Sequence, residues 1–103
     1  MYTPEDTTLL LDVMLGGIVS SLRMAGYDTA YALDRSIEAD GAIIDLAARE
    51  GRLLLTRDRE VATRAERSHL LRKLDPQDQL AELARVGFEL ELGEPRRCSA
   101  CNG

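Results

Sequence analysis

Residues 51 to 60, GRLLLTRDRE, run from a glycine through three leucines straight into Thr56, Arg57, Asp58 and Arg59. A segment of solid leucine has no polar face to offer water, so it reads as a central strand buried within a sheet. The same pattern stands earlier, where Leu9 to Leu11 end at Asp12. Between and after these runs the apolar period changes. Leu15, Ile18, Val19 and Leu22 recur at helical spacing from Met14 to Met24, and Ile43, Ile44, Leu46 and Ala47 do so from Asp40 to Glu50. Gly26, Gly51 and Gly87 follow helical segments as stop signals, and Asp75-Pro76 opens a helix that runs to Val86. Further strands are predicted over Asp28 to Leu33, Ser68 to Leu71 and Phe88 to Leu92, with a short helix over Asp58 to Arg67.

This alternation predicts an α/β fold: a small three-layer α/β/α domain with a mainly parallel sheet of about five strands and about four helices. A chain of 103 residues with 45% hydrophobic content has material for one core only. The domain is expected over residues 1–93. Residues 94–103, EPRRCSACNG, read as a tail. No apolar run approaches the roughly 20 residues that a bilayer-spanning helix needs, and MYTPEDTT is acidic where a secretory leader would be basic, so the expected location is the cytoplasm.

In an open parallel sheet, ligands collect outside the carboxyl ends of the strands. Asp12 follows the first strand, Asp58 the third, and Asp40 starts the helix leading to the third, so three carboxylates are expected at one rim. Asp34 is a fourth candidate. Each also stands at a helix start, where Asp is a favoured cap, and capping is the competing reading for any one of them. Carboxylates gathered closely either take up protons or hold a cation. Mg²⁺ or Mn²⁺ suits such oxygen ligands, activates water and shields charge developing on a phosphodiester. Arg57 and Arg59 would then grip phosphates, although neighbours in sequence cannot both face the same way.

The charge distribution agrees. The net charge is -5, yet residues 49 to 73 carry eight basic side chains against four acidic ones. The middle of an acidic chain is thus locally basic, which fits a polyanionic partner.

The segments LLLDVMLGGIVSSLRMAGYDT, ADGAIIDLAAREGRLLLTRDRE, LDPQDQLAEL and RRCSACNG together resemble the PIN-like ribonuclease domain at the carboxyl terminus of the mutator-seven exonuclease. The resemblance covers nearly the whole chain, in order. It implies a metal-dependent nuclease with Asp12, Asp40 and Asp58 on the acidic positions, Arg23 on the arginine of the first helix, and a zinc ribbon at the end. This chain departs from the family pattern at Gly17, where a basic residue is usual, and at Gly41, where an acid is usual. Its tail supplies only Cys98 and Cys101, one C-x-x-C pair, whereas a structural Zn²⁺ site needs four ligands. A second subunit's pair or His69 would have to complete it, and an unfilled knuckle is the favoured expectation.

The leading expectation is a metal-dependent ribonuclease acting on RNA, with homodimerisation or an antitoxin-like protein partner as further expectations. The competing one is a non-catalytic RNA- or protein-binding module with a vestigial acidic rim. Its aromatic platform would be meagre, since Tyr2, Tyr27, Tyr31 and Phe88 are few and scattered. A phosphoacceptor domain is disfavoured because the sole lysine, Lys73, precedes the last helix.

Overall fold

In the computed structural model, which describes residues 2–90, four parallel strands form one sheet in the order β2-β1-β3-β4. They are β1 (Thr8–Leu11), β2 (Asp28–Tyr31), β3 (Leu53–Thr56) and β4 (Ser68–Leu70). The helices are α1 (Val19–Met24), α2 (Asp40–Glu50), α3 (Arg59–Arg64) and α4 (Pro76–Arg85). The two leucine runs are central neighbours, with Leu9 opposite Leu53 and Leu11 opposite Leu55. Strand alternation sends Leu9, Leu11, Leu53 and Leu55 to one face, where they meet Leu15, Ile18, Leu22 and, from α4, Leu80 and Leu83. Leu10 and Leu54 take the other face, beneath Ile43, Leu46 and Ala47 of α2 and Val61 of α3. An unbroken leucine run therefore has a physical cause, because both faces of the central strands are covered. Each such leucine contributes about 1.5–3 kcal/mol of burial.

Three sequence expectations change in detail. The first helix begins as a 3-10 segment, Val13–Ile18, and only then becomes α1. Two glycines lie in that segment for steric reasons. A Cβ on Gly16 would stand 2.6 Å from the Tyr31 hydroxyl, and one on Gly17 would stand 2.7 Å from Cγ of Pro76. The Tyr31 hydroxyl donates to the carbonyl of Val13 at 2.8 Å, so the close approach at Gly16 carries a hydrogen bond. A basic side chain at position 17 would collide with the start of α4, which accounts for the departure at Gly17.

The second strand stops at Tyr31, and Ala32–Arg35 form a 3-10 turn closed by Ser36 in the left-handed region, φ 58°. The expected fifth strand is reduced, among the described residues, to an isolated parallel bridge between Phe88 and Tyr2. It is nonetheless tied down. Tyr2 N donates to Gly87 O and Glu89 N to Tyr2 O, both at 2.9 Å, while the two rings stack at 4.5 Å. The buried Tyr27 hydroxyl donates to Tyr2 O at 2.8 Å and accepts from Glu89 N at 3.0 Å, and burial raises its pKa. Glu89 and Leu90 join no strand, and residues 91–92 of that expected strand and the expected tail, with Cys98 and Cys101, lie outside the described residues. No helix among the described residues is long and apolar enough to cross a membrane.

Candidate active site at the carboxyl end of the sheet

The strand order fixes where a crevice forms. From β1 the chain turns through the 3-10 segment and α1 on one face to reach β2, whereas from β3 it turns through α3 on the opposite face to reach β4. Chain exits that diverge from neighbouring strands open a cleft at their carboxyl ends. Asp12 and Asp58 stand at those two exits.

Asp12 is 3% exposed and caps the 3-10 segment, its Oδ1 accepting from Val13 N at 2.7 Å. Its Oδ2 accepts from the Thr56 hydroxyl at 2.7 Å. Thr56 is fully buried, and its Oγ1 also accepts from Asp58 N at 3.0 Å. One hydroxyl therefore links both acidic exits, donating to the first carboxylate and receiving the backbone amide of the second. Asp58 caps α3: its Oδ1 accepts from Glu60 N at 2.9 Å and Val61 N at 3.4 Å, while Oδ2 has no protein donor among the described residues. Asp12 and Asp58 are thus both caps and rim carboxylates, and the two readings coexist.

Asp40 is placed differently. It is the first residue of α2, and the cap position belongs to Ala39, which has no side-chain capping bond. Because α2 and α3 cover the same face of the sheet, Asp40 opens its helix on the same side as Asp58. Its half-exposed carboxylate makes no hydrogen bond or ion pair among the described residues. Asp34 is exposed and lies 3.9 Å from Arg23.

Arg23 donates through Nε and Nη2 to the carbonyl of Thr29, at 3.1 and 3.0 Å. Its guanidinium is therefore engaged with β2, an edge strand of the described sheet. Arg59 is exposed at the first position of α3, and Arg57 is half-buried with Nε shielded from water and without a hydrogen-bond partner. An unsatisfied buried donor at the rim is a costly feature that an incoming acceptor would relieve.

The donor chemistry fits a hard divalent cation, since every candidate is a carboxylate oxygen and Asp58 keeps one oxygen without a protein partner. The spacing is sparer than the sequence suggests. Among the described residues no group of three His, Cys, Asp or Glu side chains is close enough to hold a metal ion. Mg²⁺ does not require such a cage, because it commonly takes one or two carboxylates and fills the remaining positions with water and substrate phosphate.

Thr56 is the residue that sequence reasoning passes over. Its position after three leucines is visible, but its role depends on the register of β1 against β3, which pairs Leu11 with Leu55 and so sets Asp12 beside Thr56. The exposed Arg64 places its Nη2 3.9 Å from where a Cβ of Gly41 would be, beside the first turn of α2.

The opposite end of the sheet holds most of the ion pairing. Arg52, with its side chain 13% exposed, donates to the carbonyls of Leu9 and Asp28 and pairs with Glu50 at 2.7 Å. Hydrogen bonds from Arg35 and then Arg52 hold the Glu50 carboxyl down to about 2. This cluster joins β1, β2 and the end of α2 and is a structural tie. A cavity of about 130 Å³ beside it, lined in part by Ile44, Ala47, Arg52 and Arg67, lies away from the acidic rim.

Fold and rim together define a parallel α/β domain with two carboxylates, Asp12 and Asp58, at its topological switch point. The chain belongs to the Mut7-C RNAse domain family, whose model matches residues 7–103. No curated protein and no solved structure gives a significant match.

Proposed function

We propose that the protein is a metal-dependent ribonuclease that hydrolyses RNA phosphodiester bonds at the rim formed by Asp12, Asp58 and Asp40. The observation that carries this reading is the Asp12–Thr56–Asp58 linkage at the divergence of β1 and β3, in a chain of an RNAse domain family. Asp12 and Asp58 would hold Mg²⁺ or Mn²⁺, with Asp40 on its open side. The ion would supply a Lewis acid and an activated water. The chain's own part is positioning. Thr56 and Val13 N fix the Asp12 carboxylate, the first turn of α3 fixes Asp58, and Arg57 and Arg59 offer donors to the phosphates on either side of the scissile bond. Asp34 and Arg23, already paired, are assigned to the support of β2. Zinc at Cys98 and Cys101, a second subunit and an antitoxin-like partner are left as proposals from the sequence.

The test uses Asp58→Asn, because Asn caps a helix as well as Asp does and the fold is spared. Cleavage of a labelled RNA should require added Mg²⁺ or Mn²⁺ and fall by at least about 100-fold in the variant, the scale of losing a major transition-state contact. Metal-independent cleavage, or cleavage unchanged by the substitution, would remove the proposed centre. Retained RNA affinity without any cleavage would favour the binding-module reading.

A further inference from the structure

Arg52 and Arg57 flank β3, and among the described residues they are the two arginines that are not exposed. At the amino end of the strand Arg52 is firmly engaged: its Nε donates to Glu50 at 2.7 Å, and its Nη1 donates to the carbonyls of Leu9 and Asp28 at 3.1 and 3.0 Å. At the carboxyl end Arg57 makes no hydrogen bond or ion pair among the described residues, although its Nε is closed off from water. Buried donors are almost always satisfied, because an unmade bond costs the whole desolvation of the group. The other buried side-chain atom without a partner among the described residues, Nε2 of His69, belongs to a ring that can be neutral. A guanidinium cannot shed its charge, so the deficit at Arg57 is that of a charged group. The backbone on either side of it is pinned, since the Thr56 hydroxyl donates to Asp12 at 2.7 Å and accepts from Asp58 N at 3.0 Å. Only the side chain is at liberty. Because no bond holds the guanidinium, turning it toward the rim breaks none.

We propose that Arg57 rests in the free protein with an unsatisfied donor and turns out to a backbone phosphate of bound RNA, which makes it the specific phosphate-binding residue beside Asp12 and Asp58. This rests on the ribonuclease reading and separates two arginines that the reading treats alike. The exposed Arg59 adds charge, whereas Arg57 exchanges an unmade hydrogen bond for a charge-assisted one. The free protein thus carries a destabilising group that RNA satisfies.

The experiment compares wild type with Arg57→Met, Arg57→Lys and the control Arg85→Ala on α4. Methionine keeps an unbranched apolar stem and removes every donor. Without RNA, Arg57→Met should melt at the wild-type Tm or up to about 8 °C above it, since an orphaned donor is gone. Its affinity for a fluorescent single-stranded RNA, measured across a salt series in chelator so that the RNA stays intact, should fall about fivefold. The salt slope should fall by about 0.7, the value of one phosphate contact on a single strand. Arg57→Lys should restore the slope and only part of the affinity, keeping charge without the planar fork. Arg85→Ala should match wild type throughout. In cleavage, Arg57→Met should raise KM with kcat held within about twofold, as for uniform binding. A Tm for Arg57→Met more than about 4 °C below wild type makes Arg57 a structural tie and overturns the assignment. Equal RNA affinity and equal slope for Arg57→Met and Arg85→Ala, or no measurable RNA binding by wild type, overturns it as well. Failure of wild type to cleave RNA with Mg²⁺ or Mn²⁺ overturns the ribonuclease reading instead, so the two failures are separate.

Discussion

Replacing Thr56 by Val removes a single hydroxyl from a site that is otherwise unchanged in shape and strand propensity. That hydroxyl donates to Asp12 at 2.7 Å and accepts from Asp58 N at 3.0 Å, and both threonine and Asp12 are buried. A hydrogen bond to a carboxylate is worth about 1.5–3 kcal/mol, and the orphaned Oδ2 has little access to replacement water. The expected loss is therefore about 2–3 kcal/mol, and at about 4–8 °C per kcal/mol for a domain near 100 residues the Tm should fall by roughly 10–20 °C. Thr56→Ser keeps the hydroxyl and removes one buried methyl, costing only about 1 kcal/mol. Thermal and urea unfolding followed by circular dichroism measure both, with cleavage assayed below the transition. The valine variant should also lose activity while the serine variant keeps it. If Thr56→Val stays within about 0.5 kcal/mol of wild type, or if serine costs as much as valine, the linkage is not what holds the two acidic exits together.

Other expectations follow from the same structure. Gly17→Ala should destabilise by about 1–3 kcal/mol through overpacking against Pro76, and Pro76→Ala should relieve much of it, giving a measurable coupling in a double-mutant cycle. The Glu50 carboxyl is held at about 2 by Arg35 and Arg52, against 4.5 ordinarily. Its contribution should be complete above about pH 4.5 and lost as pH falls toward 2, so Glu50→Gln should flatten acid unfolding across that window. His69 is half-buried with Nε2 lacking a partner, and burial lowers its pKa below 6.5 although Glu82 opposes the shift. The unfolded chain therefore binds the proton first as pH drops through 6.5, stability should decline there, and His69→Gln should remove that step from a Tm-against-pH profile.

Much of the fold was legible because burial leaves a plain trace. The two leucine runs named the central strands, and the glycines at 51 and 87 named helix ends, each adopting positive φ. The outer pieces were less legible. A 3-10 segment and an α-helix share apolar spacing over a few residues, and what separates them at Val13–Ile18 is the seating of Tyr31 and Pro76 against two glycines, contacts between segments far apart in sequence. Phe88 to Leu92 read as a strand because its residues suit one, yet among the described residues only Phe88 finds a ladder partner. At the rim, carboxylates after strands were visible from chain order alone. Thr56 was not, since it takes its meaning from the β1–β3 register.

The central claim is that Asp12 and Asp58 share one ion at the divergence of β1 and β3. The most direct measurement is anomalous diffraction from crystals of the wild-type protein grown with Mn²⁺. The account predicts a peak within coordination distance of both carboxylates, and its loss in Asp58→Asn crystals of the same fold. A manganese peak elsewhere, or none at the rim while the protein cleaves RNA with that ion, contradicts it.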